Sequence, residues 1–372
     1  MTQKKILIIS RFFYPMNSPR SFRTTELVKE LARLGHVVTV LTPKVPKHSA
    51  FEQEHNVIIQ DLGQPKWREI ELHGKGMKLL IKRGLRRILQ LALEYPNLEY
   101  FFRVKKHLKK RRRDKEKFDL LVSIAAPFPI HWGVAAVWKN RNNIAKIWVA
   151  DCGDPFMGQE NDTFKPAFYF KYVEKWFCKK VDFLTVPVES AIPAYYPEFH
   201  HKIKIIPQGF RFEEVVKANK VESTHPYFAY AGSLIPGRRD PKDFLEYLVN
   251  YPYPYKFDIY TMQDNLVQSY VDRSDGRMEV KDYLPRKELL FELSKLDFVV
   301  NFENAGQIQM PSKIIDYVII NRPILSINSF NFITQPVEEF LSGNYENRLQ
   351  IDNPDQYRIE NVAKEFLKLT QS

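Results

Sequence analysis

The amino-acid sequence predicts an α/β protein built from two doubly wound parallel sheets. Apolar segments of strand length alternate with segments of helical spacing along almost the whole chain. A polar stretch, residues 211–225, divides this alternation into two series. A strand, a helix and a further strand in succession form a parallel βαβ unit, so each series predicts a sheet of its own.

The composition agrees with two globular domains. The chain has 372 residues, which is long enough for two separate cores. Its hydrophobic fraction of 44% and aromatic fraction of 14% exclude a disordered protein. We therefore predict one domain at residues 1–212 and a second at residues 213–354.

The first series opens with a βαβ unit. A strand is predicted at residues 4–10, a helix at 22–34 that ends at Gly35, and a second strand at 36–42. The further strands of this series are predicted at residues 56–62, 118–125, 145–151, 181–190 and 202–210. One more helix is predicted near residues 130–139.

The second series repeats this alternation. Its strands are predicted at residues 227–233, 256–261, 278–284, 297–302 and 323–328. Helices are predicted near residues 241–250 and 286–295, and a third begins at Pro311.

The start of that third helix has the chemistry of a binding site. Pro311 and Ser312 fit a first helical turn, where free backbone N–H groups and the positive dipole end attract phosphate. Lys313 and Asp316 lie one turn apart on one face. A nucleotide sugar needs donors for its phosphates and a carboxylate for its ribose hydroxyls, and this segment offers both. The alternative is an exposed helix pair of little consequence.

Together with the preceding strand and the following Asn321-Arg322-Pro323, this segment resembles the donor site of GT-B glycosyltransferases. More narrowly, it resembles the retaining family 4 enzymes of bacterial surface polysaccharide synthesis. Further landmarks of that family follow in its usual order: GHVVTVLT, PQGF, AGS, DYLPRKEL and LDFVVNF. The resemblance implies two Rossmann-like domains, an acceptor-side domain at 1–212 and a nucleotide-sugar domain at 213–354, with residues 355–372 crossing back to the first.

The resemblance also implies roles for individual donor-site residues. Asp316 would hold the ribose, and Tyr283 would lie near the base. Arg238 and Arg239 stand where the family places a phosphate-binding lysine, while Ser233 replaces the family's usual arginine. These cations would stabilise the diphosphate leaving group. The chain has no Asp-x-Asp pair, so we predict no metal and no cofactor.

Gly232 is a further donor-site candidate on its own chemistry. A glycine directly after a strand lets backbone N–H groups approach a diphosphate closely. The alternative is a turn glycine beside solvated arginines.

The family's retaining mechanism needs no dedicated nucleophile, because the donor phosphate takes the proton of the acceptor hydroxyl. Many members place a histidine where this chain has Ala125, and His131 follows six residues later as a candidate. Asp151 and Asp154 follow a buried strand at its carboxyl end, where open α/β sheets bind ligands. Asp154 could orient an acceptor hydroxyl. The alternatives are a packing or capping role for His131 and an Asx turn at Asp154.

The loop after the first strand is a third candidate segment. Asn17, Ser18 and Arg20 lie where the family often has a glycine pair that approaches the donor phosphate. Arg20 or Arg23 would supply charge there instead.

The basic charge of the chain is concentrated in residues 66–117. This segment contains 18 lysine and arginine residues and 6 acidic ones, and the difference of 12 equals the net charge of +12 of the whole chain. Apolar residues recur on one helical face between residues 72 and 93, at Met77, Ile81, Leu85, Ile88 and Ala92. Basic residues recur on the other, at Lys75, Lys78, Lys82 and Arg86. Such a helix suits an anionic membrane surface. Nucleic-acid binding is disfavoured because no recognition fold surrounds the segment, and a solvated helical face is the remaining alternative.

We therefore predict a glycosyltransferase that moves a sugar from a nucleotide-sugar donor to a lipid-linked or oligosaccharide acceptor. The short apolar run at the N-terminus and the presence of only two cysteines predict a cytoplasmic protein, peripheral on the inner face of the plasma membrane. Two alternatives stay open: a sugar-nucleotide epimerase of the same fold, and a catalytically inactive membrane-associated scaffold.

Overall fold

The computed structural model describes residues 2–73, 75–139, 143–159, 164–303 and 312–371, without the side chains of residues 214, 312 and 313. The strands are β1 (Lys5–Ser10), β2 (Val37–Thr42), β3 (Ile58–Asp61), β4 (Phe118–Ile124), β5 (Ala145–Asp151), β6 (Phe183–Val186), β7 (Ile203–Ile205), β8 (Tyr227–Ala231), β9 (Lys256–Tyr260), β10 (Met278–Lys281), β11 (Phe298–Phe302) and β12 (Ile324–Ile327).

The α-helices are α1 (Pro19–Arg33), α2 (His48–His55), α3 (Met77–Leu93), α4 (Glu99–Arg113), α5 (Pro129–Ala135), α6 (Phe170–Lys180), α7 (Lys242–Asn250), α8 (Gln268–Asp272), α9 (Arg286–Leu293), α10 (Ser312–Ile320), α11 (Gln335–Leu341) and α12 (Ile359–Lys368). Short 3₁₀ helices cover Glu189–Ala194, Pro197–Lys202, Phe212–Glu214, Asp264–Leu266 and Pro354–Tyr357.

The chain divides into two compact units. Unit 1 runs to Phe210 and resumes at Ile359, and unit 2 covers Arg211–Arg358. In the described residues, unit 1 holds a parallel sheet of order β3-β2-β1-β4-β5-β6-β7, and unit 2 a parallel sheet of order β10-β9-β8-β11-β12. The predicted fold class, α/β with two doubly wound parallel sheets, is confirmed.

Both faces of the unit 1 sheet are buried, because the side chains of each central strand alternate between two cores. In β1, Leu7 and Ile9 pack into one core, whereas Ile6 and Ile8 pack into the other. Continuous apolar strands of this kind are typical of parallel sheets covered by helices on both sides. The second of these cores also contains Phe366 of α12, which packs against α1.

The core of unit 2 is centred on three phenylalanines from adjacent strands. Phe228 of β8 is paired in register with Phe257 of β9 and with Phe298 of β11. Its ring stacks on both, with centroid separations of 4.7 and 4.4 Å. Cross-strand aromatic pairs stabilise a sheet, and here they join β11 to β8 and β9, whose carboxyl ends carry the pocket described next.

Several predicted helices differ in extent. The helix predicted from residue 22 begins at Pro19, because the Ser18 hydroxyl accepts a hydrogen bond from the Ser21 N–H at 3.2 Å and caps the first turn. The helix predicted near residues 130–139 ends at Ala135. The basic helix begins at Met77, directly after Gly76, whose φ of 72° favours glycine.

Candidate functional site

A pocket of about 310 Å³ opens at the carboxyl ends of β8 and β9 in unit 2. Its lining comes from the residues that follow these strands, from the segment after β10, and from α9 and α10. The lining residues are Ala231, Gly232, Ser233, Tyr260, Thr261, Met262, Tyr283, Leu284, Arg286, Leu289, Leu290, Leu293, Asp316 and Tyr317. Open α/β sheets bind ligands at this edge, beside the strand at which the strand order reverses. In unit 2 that strand is β8.

Four residues predicted for the donor site meet in this pocket. Gly232 and Ser233 follow β8, Tyr283 follows β10, and Asp316 lies in α10. They are separated by up to 84 residues in sequence, and only the packing of α10 against the sheet brings them together. The structure thus gathers candidates that the sequence offered separately.

Asp316 is held by a residue that sequence reasoning missed. The Arg286 guanidinium donates two hydrogen bonds to Asp316 Oδ1, from Nε at 3.0 Å and from Nη2. About one fifth of the Asp316 side chain is exposed, so it remains accessible from the pocket. Arg286 opens α9 directly after Pro285. The sequence signal was present in the segment DYLPRKEL, but nothing in it shows that α9 and α10 are neighbours.

The residue next to Asp316 fixes α10 to the end of β8. Tyr317 is buried, and its hydroxyl accepts a hydrogen bond from the Ala231 N–H at 3.1 Å and lies 3.3 Å from the Ala231 carbonyl oxygen. Burial raises the pKa of Tyr317 well above its ordinary value, so the phenol stays protonated. This contact sets the position of Asp316 relative to Gly232.

The opposite wall of the pocket is apolar. Leu284, Leu289, Leu290 and Leu293 contribute aliphatic surface. The rim carries Tyr283, whose side chain is 68% exposed. An apolar wall with a few convergent polar groups is typical of small-molecule sites.

Two predicted phosphate ligands do not line this pocket. Arg238 and Arg239 belong to a tight hairpin in which the Ile235 N–H donates to the Arg239 carbonyl at 3.1 Å. Arg238 is exposed. Arg239 is partly buried, and its Nε has no hydrogen-bond partner within the described part of the chain. Contact of either residue with a diphosphate stays a prediction.

The predicted anion-binding turn is described only in part. Pro311 lies outside the described residues, and so do the side chains of Ser312 and Lys313. The backbone shows that α10 begins at Ser312.

In unit 1, Asp151 forms a buried ion pair. Its carboxylate accepts hydrogen bonds from Arg23 Nε and Nη2, both at 2.6 Å, and from the Thr185 hydroxyl at 2.7 Å. Burial is the largest single influence and opposes ionisation, but the charge and hydrogen bonds of Arg23, together with Arg20 and Thr185, outweigh it and lower the pKa of Asp151. Asp151 is only 1% exposed. The structure therefore does not support its predicted contact with a ligand, and Asp151 instead joins α1 with β5 and β6.

Arg20 lies beside this pair. Its Nη1 is 4.0 Å from Asp151 Oδ2, and its side chain is 23% exposed. The guanidinium fills the space beside Gly153, where a Cβ would lie 0.6 Å from Arg20 Nη2. Arg20 thus packs under the segment that carries Asp154, and the glycine is required for that close approach.

His131 does not fit the predicted catalytic role. It is fully buried, with Nδ1 2.8 Å from the Ser123 hydroxyl and Nε2 3.6 Å from Cys152 Sγ. Its ring stacks on Phe177 at a centroid distance of 5.5 Å. Burial lowers its pKa to about 3, so the imidazole is neutral. Every residue of α5 is buried, and His131 therefore faces the core, so its catalytic role stays a prediction that this packing does not favour.

The other unit 1 candidates lie in loops. Asp154 and Asn17 are exposed. Ser18 caps α1, as described above, which gives it a structural function. A role of any of the three toward an acceptor stays a prediction. In the described residues, no three His, Cys, Asp or Glu side chains are grouped as a metal site requires.

The basic segment forms a separate surface on unit 1. α3 contains no buried residue, and its apolar face is open, with Met77 72%, Ile81 62% and Ile88 62% exposed. The adjacent α4 buries Val104 and Leu108 in the core and presents a groove of cations to solvent. This groove is lined by Phe102, Lys105, Lys106, His107, Lys109, Lys110 and Arg113. Across the described ranges, no helix is long and apolar enough to cross a membrane.

Three solved structures with similar folds are each distant in sequence from this chain. A glycosyltransferase from Rickettsia africae has a TM-score of 0.65 at 11% identity, over 100% of this chain and 98% of its own. The lipopolysaccharide outer core galactosyltransferase WaaB has a TM-score of 0.61 at 11% identity, over 98% of both chains. HepE from Anabaena, solved in complex with UDP, has a TM-score of 0.58 at 10% identity, over 99% of this chain and 98% of its own. No curated protein sequence matches the chain.

A family comparison is more specific than these fold similarities. The Glycosyltransferase Family 4 model matches residues 22–214, which is more than half of the chain. The match begins within α1 and includes β2 to β7 of the unit 1 sheet. The chain therefore belongs to Glycosyltransferase Family 4 and is a glycosyltransferase of the GT-B fold.

Proposed function

We propose that this glycosyltransferase moves a sugar from a nucleoside diphosphate donor to a lipid-linked or oligosaccharide acceptor in the synthesis of a cell-surface polysaccharide. The main support for this proposal is the unit 2 pocket, which is lined by Gly232, Ser233, Tyr283 and Asp316 together with several leucine side chains. Two structural relatives support the chemical class, since HepE is described in complex with UDP-glucose and WaaB as a lipopolysaccharide galactosyltransferase.

The pocket suggests how the donor is held. The base lies on the apolar wall near Tyr283, and the ribose hydroxyls donate to the Asp316 carboxylate. The diphosphate lies toward Gly232 and the start of α10, where backbone N–H groups stabilise negative charge without a metal. Arg238, Arg239 and Lys313 supply the cations of this proposal.

The proposed reaction retains the anomeric configuration. The bond from the anomeric carbon to the diphosphate breaks, and the acceptor oxygen bonds to the same face of the sugar. The acceptor proton passes to the departing phosphate, so no side chain acts as nucleophile. The burial of His131 agrees with this scheme, which needs no histidine at that position. We place the acceptor in unit 1, with Asp154 as the residue that orients its hydroxyl.

A transfer assay tests the proposal and separates it from its rivals. Radiolabelled UDP-, GDP-, ADP- and CDP-sugars are each incubated with the enzyme and a bacterial lipid extract. We expect one donor to label a lipid or oligosaccharide product with the wild type, and not with Asp316→Ala. Conversion of the donor to an epimer without an acceptor would indicate an epimerase. Nucleotide binding without any turnover would indicate the inactive scaffold.

We further propose that α3 attaches the enzyme to an anionic membrane at the cytoplasmic face. An exposed apolar face beside a cationic one can insert at the lipid interface while its cations meet the headgroups. The α4 groove adds further positive charge next to it. Attachment would bring the enzyme to a lipid-linked acceptor.

Vesicle sedimentation tests this surface. We expect binding to vesicles containing phosphatidylglycerol and little binding to phosphatidylcholine alone. Replacing Ile81 and Ile88 by serine is expected to weaken binding roughly 10-fold or more, since each side chain loses apolar area for insertion. Phe330→Ser with Ile333→Ser is the matched control, because these exposed apolar residues lie in unit 2. An equal decrease in vesicle binding in both double variants would contradict the proposal that α3 is the membrane-binding surface.

A further inference from the structure

We propose that Arg286 is a positioning residue of the donor site, which orients the Asp316 carboxylate toward the ribose hydroxyls of a nucleoside diphosphate. The inference rests on the proposed function, because it requires a nucleotide in the unit 2 pocket. It adds a residue for which the sequence predicted no role of its own.

The geometry of the pair carries the inference. Arg286 Nε and Nη2 both donate to Oδ1 of Asp316, and both residues line the pocket. Two donors from one rigid guanidinium hold Oδ1 in place more firmly than a single hydrogen bond does. With Oδ1 held in this way, the directions open to the carboxylate are restricted before a ligand arrives.

Such orientation matters because the side chain of aspartate is short. A carboxylate on a single methylene has little reach with which to adjust to a ligand, so its direction must be set by its neighbours. Preorganisation by a second residue lowers the entropy lost when the ligand binds.

The charge of Arg286 serves the same site. A nucleoside diphosphate is strongly anionic, and an aspartate in its pocket would repel it. The guanidinium beside Asp316 compensates that charge while leaving a carboxylate as hydrogen-bond acceptor. Arg286 therefore affects binding in two separable ways, through the ribose hydroxyls and through net charge.

The chain offers a matched control in the same unit. Arg273 forms a similar two-bond pair with Glu246, at 2.9 and 2.6 Å. That pair is exposed and does not line the pocket. A variant at Arg273 therefore removes a comparable ion pair without touching the proposed site.

The test compares ribose with dideoxyribose ligands. UDP, GDP, ADP and CDP are titrated into the wild type by calorimetry, and the tightest ligand is repeated as its 2′,3′-dideoxy analogue. In Arg286→Gln we expect the natural nucleotide to bind roughly 10- to 100-fold more weakly. The affinity for the dideoxy analogue should fall by no more than about 3-fold, because this analogue lacks the hydroxyls from which Asp316 would accept hydrogen bonds. Arg273→Gln should bind both as the wild type does.

Arg286→Lys provides a second variant that keeps the charge. We expect it to restore part of the affinity for both ligands, but not the wild-type preference for the ribose hydroxyls. Equal losses for the natural and dideoxy ligands in Arg286→Gln would overturn the inference and leave a structural ion pair. Unchanged binding in Arg286→Gln would also overturn it. If the wild type binds none of the four nucleotides, the proposed function itself fails, and the inference fails with it.

Discussion

Glu174 is expected to make the stability of unit 1 depend on pH. Its carboxyl group lies in α6, only 2% exposed, and accepts hydrogen bonds from the Tyr196 hydroxyl at 3.1 Å and from the N–H groups of Phe156 and Met157. Burial raises its pKa to about 7. It thereby anchors the loop that follows Asp154.

The sign of the effect follows from the two states. The folded-state pKa of Glu174 is about 7, and its ordinary value in an exposed chain is 4.5. Between these values the folded state binds a proton that the unfolded state has released. The stabilising contribution is therefore fully present below pH 4.5 and is lost as the pH rises through 7. The difference between the two pKa values corresponds to roughly 3 kcal/mol.

The perturbation is Glu174→Gln, which keeps an acceptor for the same donors but does not ionise. The free energy of unfolding is measured in urea between pH 4.5 and 8 by tryptophan fluorescence. All five tryptophans lie between residues 67 and 176, so the signal reports on unit 1. Buried histidines such as His131 titrate with the opposite sign because burial lowers their pKa. The relevant quantity is therefore the difference between variant and wild type.

We expect the two proteins to agree within about 1 kcal/mol near pH 4.5, where Glu174 is neutral. By pH 8 the variant should be the more stable by roughly 3 kcal/mol. Parallel curves across the whole range would refute the reasoning, because they would show that Glu174 has the same pKa in both states.

The remaining predictions concern buried contacts in each unit. Arg23→Met should lower the free energy of unfolding of unit 1 by about 3–5 kcal/mol, since the buried Asp151 carboxylate loses the guanidinium that is hydrogen-bonded to it. A decrease below about 1 kcal/mol in the same fluorescence assay would contradict this. Tyr317→Phe should destabilise unit 2 by about 1–3 kcal/mol, because the buried Ala231 N–H loses its acceptor. Scanning calorimetry should show a lower transition temperature, and an unchanged thermogram would argue against that hydrogen bond.

Much of the fold was predictable because its strands are apolar runs bounded by turn residues. The strands of both sheets occur where the pattern placed them. α4 was not predicted, although Tyr100, Val104 and Leu108 recur at helical spacing and are buried. The many charged residues of α4 obscure that stripe, since the buried apolar residues recur only at every fourth position.

The candidate site was predictable only as far as local motifs extend. Gly232 could be named because it directly follows a strand, and Asp316 because it lies one turn after the start of a helix. The pairing of Asp316 with Arg286 joins α9 to α10, and no local pattern specifies which helices are neighbours. The Arg23–Asp151 pair spans 128 residues for the same reason.

Nucleotide binding to the unit 2 pocket tests the central claim most directly. UDP and GDP are titrated by calorimetry, with and without magnesium, into the wild type, Asp316→Ala and the control Asp272→Ala, which changes an exposed aspartate outside the pocket. We predict that one nucleotide binds equally well without metal, that Asp316→Ala weakens it roughly 10-fold or more, and that Asp272→Ala leaves it unchanged. Absence of binding to both nucleotides, or wild-type affinity in Asp316→Ala, would contradict the account.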